Sequence, residues 1–281
     1  MGQEHLIFDI YKKSCTDLST FEIWAGYYKL RLEEFKKFNT LFPKSHFSNT
    51  LEIGCGIGYQ AAFLSTMSDK VVASDVDFGE MIQHSRGLAV TRDFIEKSGI
   101  KNIKVVAANA EDLPFADEEF DFIYSSYAFQ YIVNKDKALQ EIKRVLKKDG
   151  YFFCVLPTTA NRFKAAINYY KEIIKKIPLL FTNNKIGSIN KIKIAGTTDK
   201  VIIPKKWYTK LLPPPDNFNN NVFNEYFLYS PTSWQTLFLK NQHKIILKKF
   251  SAFSPETKTV SFLKTIKLKL ISDGLILLTK K

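Results

Sequence analysis

The sequence predicts an α/β protein: a mostly parallel, seven-stranded sheet, doubly wound, with helices on both faces. Two observations carry this. Short runs rich in β-branched and aromatic residues alternate with helical patterns from Thr50 to Leu156, which is how parallel strands with crossover helices read. A glycine-rich turn, Gly54-Cys55-Gly56-Ile57-Gly58, stands between the first strand and the first helix of that series, where such sheets bind ligands.

The elements follow in order. Residues 18–41 place Phe21, Trp24, Tyr28, Leu32, Phe35 and Phe38 at helical spacing with charged residues between them, an amphipathic helix that covers something. Pro43 and the polar run 44–49 end it, and strand 50–53 leads into the glycine turn. Helix 59–67 and strand 70–74 follow, the strand ending at Asp75. Helix 80–98 stops at Gly99, in the place of a C-terminal glycine cap. Then come strand 103–107, a polar loop over 109–119, strand 120–125, helix 135–146, a turn at 147–150 and strand 151–156. The alternation breaks at Pro157. Residues 162–177 read as a helix, 183–221 as an Asn-, Lys- and Pro-rich stretch, and the series resumes with helix 232–241 and strands 244–250 and 274–280. The expected organisation is an N-terminal helical cap (1–49), a core (50–156), an insertion serving as a lid (157–230) and a C-terminal helix with the last two strands of the core (231–281).

Composition narrows the class. No run of 18 apolar residues exists, which argues against a transmembrane helix. The N-terminal stretch carries Glu4, Asp9, Lys12 and Lys13 around few apolar residues, unlike a secretory signal. Cys15, Cys55 and Cys154 are widely spaced and form no CxxC pair, so they read as free thiols, with neither a disulfide nor a metal site expected. A cytoplasmic protein follows. The net charge of +13 is unevenly spread. Residues 1–156 hold 19 Lys and Arg against 22 Asp and Glu, a net of −3, whereas residues 157–281 hold 22 against 6, a net of +16. That basic half suits an anionic partner, although a Lys- and Asn-rich composition alone would produce the same figure.

At a strand-to-helix turn, glycines permit positive φ and close approach of a ligand, and the helix N-terminus offers free N–H donors. Read from Gly54 the spacing is GxGxG. Read from Gly56 it is GxGxxA, ending at Ala61, with Asp75 at 19 residues' distance, which a dinucleotide site would also accept. The turn alone leaves a nicotinamide-dependent oxidoreductase open. Glu52 tips the balance, because a carboxylate at the end of the first strand is badly placed for a pyrophosphate and well placed for a cationic ligand; a surface carboxylate capping a neighbouring helix is the alternative.

Several segments in the right order resemble class I S-adenosylmethionine-dependent methyltransferases of the small-molecule, ubiquinone/menaquinone-biosynthesis-like type. They are Thr50–Gly58, Asn109-Ala110-Glu111-Asp112-Leu113-Pro114-Phe115 with Phe120–Ile123, Ser125–Tyr131, and Ala138–Lys147 running on to Gly150. The resemblance implies a Rossmann-like fold and S-adenosyl-L-methionine as cofactor. It implies that Glu52 and the backbone of Gly54, Cys55, Gly56 and Gly58 surround the methionine part. Asp75 would take the ribose hydroxyls, Val76 would pack on the adenine, and Asn109, Ala110, Glu111 and Ser125 would complete the site. Asn109 stands where relatives carry Asp, and an amide oxygen can accept the same hydrogen bond; an ordinary turn residue is the alternative.

After the fourth strand many such relatives carry a His pair, and here Gln130 and Tyr131 stand in its place as the candidate catalytic residues. His84 and His243 are the remaining candidates for a base. The acceptor is expected to be a small molecule, a glycan or a lipid-linked compound, anionic in keeping with the basic half, and methylated on oxygen. Residues 215–238 distantly resemble methyltransferases of surface-polysaccharide synthesis. A nucleic-acid substrate is not expected. In the insertion, Phe163, Ile167, Tyr170, Ile174 and Ile177 line one helix face with lysines around it; that face is expected to pack on its own domain, and contact with an anionic membrane surface is the alternative. Trp207, Tyr208, Phe218, Phe223, Tyr226, Phe227 and Tyr229 are candidate walls of an acceptor pocket. A non-catalytic partner-binding module is the remaining rival.

Overall fold

The computed structural model describes residues 18–41, 46–77, 87–182, 222–251 and 274–281. In chain order the elements are α1 (Leu18–Leu41), β1 (Phe47–Ile53), α2 (Tyr59–Leu64), β2 (Ser68–Asp75), α3 (Gly87–Ser98), β3 (Ile103–Ala107), β4 (Phe120–Ser126), α4 (Lys135–Val145), β5 (Leu146–Pro157), α5 (Thr159–Thr182), α6 (Val222–Leu228), α7 (Pro231–Lys240), β6 (Lys244–Ser251) and β7 (Gly274–Lys280). The seven strands form one sheet in the order β3-β2-β1-β4-β5-β7-β6. All neighbours from β3 to β5 are parallel, and β7 runs antiparallel to both β5 and β6. The fold is Rossmann-like, as expected from the sequence.

Period-2 alternation sends successive side chains of each central strand to opposite faces. Phe122 and Tyr124 of β4, Phe153 and Val155 of β5 and Ile276 and Leu278 of β7 meet α1, α2 and α3 on one face. Ile123, Phe152, Cys154, Leu156, Leu275 and Leu277 meet α4 and α7 on the other. Strands buried on both sides need continuous apolar runs, which is why residues 151–156 and 274–278 read so plainly as strands. The aromatic core under α1 is dense: the Phe38 ring lies 5.0 Å from Phe153, and Tyr124 stacks on Phe153 at 5.4 Å.

The structure moves several expected boundaries. β1 begins at Phe47, within the run read as a breaker, because the Phe47 ring stacks on Phe122 at 4.2 Å and is wholly buried. α2 ends at Leu64, three residues early, with its last turns closed by Ser65 and Thr66 hydroxyls donating to backbone carbonyls. The turn expected at 147–150 lies inside β5, as an irregularity where Phe120 pairs with Leu146 and Phe122 with Tyr151 and Asp149 takes a φ of 64°. Residues 80–86 of the expected third helix and the stretch 183–221 lie outside the described residues. No described helix is long and apolar enough to cross a membrane.

Candidate active site

β1 pairs with β2 on one side and β4 on the other, so the strand order reverses between β1 and β4. Such a switch point opens a crevice at the carboxyl ends of the strands. Glu52, the glycine turn, Asp75 and Ser125 all sit at those ends. The turn is held by backbone bonds: the Gly54 and Cys55 amides donate to the Ser74 carbonyl at 2.8 and 3.0 Å, and the Gly58 amide donates to Cys55. Asp75 ties the turn to β2, its Oδ2 accepting from the Gly56 amide at 2.9 Å and its Oδ1 from the Val76 amide at 2.8 Å. Thr91 of α3 donates its hydroxyl to the Gly56 carbonyl.

Two of the glycines are required by geometry. Gly54 has φ +75°, and a Cβ there would stand 2.1 Å from the Ala128 Cβ. Gly56 has φ +54°, and a Cβ there would meet no described residue within 4 Å. The second is a cradle: the backbone turns its bare side to open space.

Glu52 is not the surface carboxylate that the alternative reading required. It is 2% exposed, and its Oε2 has no hydrogen-bond partner among the described residues. Burial pushes its carboxyl well above the usual carboxylate range; the Arg31 guanidinium opposes this, Asp75 and Glu34 reinforce it, and a backbone hydrogen bond from Ala61 lowers it. Burial also raises Asp75, against its two backbone hydrogen bonds. The buried Ser125 hydroxyl likewise lacks a partner among the described residues. Orphaned buried acceptors are costly unless a ligand supplies donors. An ammonium group beside Glu52 supplies them, so these residues fit S-adenosylmethionine.

The residues expected beside the adenine also carry scaffold duties. The Asn109 carboxamide oxygen accepts from the Glu111 amide at 3.0 Å, closing an Asx turn. The Glu111 carboxylate accepts from the backbone amide of Asn134, the N-cap of α4, at 2.9 Å. Ala110 is buried beneath this turn in the second core cluster. Arg144 fastens the same loop by donating to the carbonyls of Leu113 and Phe115 and pairing with Asp117 and Glu141.

The buried polar face of α1 was missed from the sequence. Arg31 and Glu34, two of the charged residues between the apolar positions of the helix, are 7% and 1% exposed and pair at 2.8 Å. Arg31 donates to the Ser126 hydroxyl at 2.7 Å and stands 5.7 Å over the Tyr127 ring, while the Tyr124 hydroxyl donates to Glu34. Their i, i+3 spacing beside Phe35 and Phe38 was the available signal.

Gln130 and Tyr131 lie on a single 3-10 turn after β4. Gln130 is buried, its amide nitrogen donating to the Tyr127 carbonyl at 2.8 Å, whereas Tyr131 is exposed. His243 is withdrawn as a base. It is buried against Phe152 and Phe238, with one ring nitrogen 3.0 Å from the Leu139 carbonyl and the other 3.3 Å from the Thr279 hydroxyl. It stands beside the start of β6, which pairs with the far end of β7 and so lies at the opposite rim of the sheet. Its burial lowers its affinity for a proton. His84, Trp207, Tyr208 and Phe218 lie outside the described residues. Tyr229 is a core residue stacked on Trp234, whereas Phe223 and Phe227 face outward.

Comparison with known proteins decides the family of this site. Residues 51–154 match the family described as Methyltransferase domain. The stretch therefore matches a methyltransferase domain. Its relatives include the ubiquinone/menaquinone biosynthesis C-methyltransferase UbiE of Rickettsia prowazekii, 30% identical over 150 residues, 49% of this chain and 57% of that one. Sterol 4-C-methyltransferase strm-1 of Caenorhabditis elegans is 34% identical over 102 residues, 36% of this chain and 29% of that one. The chain thus spans less than two thirds of the length of these curated relatives. Among solved structures, an S-adenosylmethionine-dependent methyltransferase of Aquifex aeolicus shares the fold with a TM-score of 0.54 at 16% identity, over 94% of this chain and 98% of that one. The methyltransferase domain's cofactor is S-adenosylmethionine, and the oxidoreductase reading of the GxGxxA register falls.

Proposed function

We propose that the protein methylates an acidic hydroxyl, a phenol or an enol, on a small or lipid-linked acceptor. The observation that carries the methyl-transfer part is the buried Glu52 oxygen at the switch point, without a hydrogen-bond partner among the described residues, with Asp75 holding the cradle beside it. The cofactor supplies an electrophilic methyl group already activated on sulfonium, so the chain's own task is to hold and align the acceptor. The acceptor oxygen gains the methyl group, its proton passes to solvent, and the sulfur–methyl bond breaks.

The nature of the acceptor follows from residues 130 and 131. A buried amide already committed to a backbone carbonyl takes no proton, and a phenol does so only when its own pKa is depressed. A hydroxyl acidic enough to ionise unaided meets that condition. Relatives named for quinone biosynthesis and for sterols support a lipid-linked acceptor, and the net +16 of residues 157–281 supports an anionic one. We assign the acceptor to the insertion, residues 157–230, which leaves β5 at the rim that carries the glycine turn.

The test is incubation of the full chain with methyl-labelled S-adenosylmethionine and three acceptor classes: phenolic lipids, water-soluble phenols and glycans. Label should enter the phenolic lipids fastest, on oxygen by mass spectrometry. Transfer confined to glycans, or label found on ring carbon, would overturn the acceptor reading.

A further inference from the structure

At the rim that carries the cofactor cradle, α5 and α6 present exposed apolar side chains. α5 starts at Thr159, two residues beyond the end of β5, and Phe163, Ile167 and Ile174 recur along it at helical spacing. These side chains are exposed, Ile174 at 63%, which corrects the expectation that this face packs on its own domain. α6 stands against the start of α5 and is fixed there. Arg162 and Glu225 form a buried ion pair at 3.0 Å, and the Thr159 amide and hydroxyl donate to the carbonyls of Tyr229 and Tyr226 at 3.0 and 2.8 Å. The Phe163 ring lies 4.7 Å from Tyr226. On α6, Phe223 and Phe227, one turn apart, are exposed at 59% and 78%. Five large apolar side chains on two helices locked to each other thus face outward.

Charge says what covers them. Residues 157–221 hold 12 Lys and Arg against 3 Asp and Glu, and α5, apart from the buried Arg162 that pairs with Glu225, holds 4 lysines against 1 acid. Exposed apolar side chains on a helix whose sequence also carries Lys164, Lys171, Lys175 and Lys176 suit the boundary of an anionic bilayer, where acyl chains receive the apolar groups and headgroups receive cations. A protein partner would need a matching acidic groove, whereas a bilayer needs only the two properties seen here.

We propose that α5 and α6 form a docking surface for an anionic lipid bilayer, which sets the cofactor rim against the membrane. The proposal deepens the lipid-linked reading of the acceptor but is tested without it. The probe is co-sedimentation of the full chain with phosphatidylcholine vesicles, with and without phosphatidylglycerol, beside a Phe227→Asp/Ile174→Asp variant. Both positions are exposed, so the variant should fold and bind S-adenosylhomocysteine like the parent chain, which calorimetry checks. The parent chain should pellet with the anionic vesicles, release as salt is raised, and partition roughly tenfold or more better than the variant. Equal partition of parent and variant, or no binding to anionic vesicles at low salt, would overturn the proposal. Equal binding to neutral vesicles would overturn its anionic part. Concentration-dependent self-association lost in the variant, without vesicle binding, would give the surface to a second copy of the chain. Vesicle binding without transfer to any lipid would leave the docking surface standing and defeat the lipid-linked acceptor.

Discussion

Gly54→Ala is expected to destabilise the fold by roughly 2–5 kcal/mol and to abolish S-adenosylhomocysteine binding. The added Cβ would stand 2.1 Å from the Ala128 Cβ, an atom attached to the backbone that no rotamer change can withdraw, and the residue would keep a φ of +75°. Relief therefore requires moving the strand end or the turn after β4. Gly56→Ala is the matched control. Its Cβ meets no described residue within 4 Å, so the left-handed backbone remains, a cost of about 1–2 kcal/mol. That variant should stay folded and still lose cofactor affinity, because the methyl group fills the open side of the cradle. Urea titrations read the pair through the transition midpoint at constant slope. Equal midpoints for the two variants would contradict the packing argument.

Glu52→Gln is expected to act in opposite directions on stability and on binding. Burial holds the Glu52 carboxyl above its ordinary range in the folded protein. Its contribution to stability is therefore fully present below the unfolded carboxyl pKa and is lost as pH rises through the folded value. Above the unfolded carboxyl pKa the burial of this group works against folding, and the neutral, near-isosteric amide removes that penalty. The variant's thermal midpoint should exceed the parent's at pH 8, and the two should converge toward pH 4. Cofactor affinity should fall about 10- to 100-fold, since a charge-assisted hydrogen bond contributes about 1.5–3 kcal/mol. A variant less stable than the parent at pH 8 would mean that Arg31 overcomes the burial of Glu52. An unchanged affinity would place the ammonium elsewhere.

Much of the fold was legible because the central strands are buried on both faces and therefore carry unbroken apolar runs. β3 and β7 were read to the residue, and the seven-stranded, mostly parallel sheet followed from the alternation. The cradle was legible too, since a strand-end glycine turn followed by Asp75 has few other uses. What escaped depended on contacts between distant segments. Arg31 and Glu34 were not singled out because the pattern that marks a helix face counts only apolar residues, yet Ser126, Tyr124 and Tyr127 of distant β4 and its following turn give them partners. His243 read as a base candidate because nothing local shows that the Leu139 carbonyl and the Thr279 hydroxyl enclose it. The apolar face of α5 read as a packing face because periodicity shows that a face exists and not what it meets. The irregularity in β5 escaped because Lys147–Gly150 has turn-like composition, while pairing with β4 carries the strand through it.

The most direct measurement is titration calorimetry of the full chain with S-adenosylhomocysteine and with NAD under the same conditions, repeated on Glu52→Gln. Saturable heat with S-adenosylhomocysteine, none with NAD, and a weaker S-adenosylhomocysteine isotherm in the variant are the predicted results. Saturation by NAD, or no S-adenosylhomocysteine heat from a folded parent chain, would contradict the assignment of this cradle to S-adenosylmethionine.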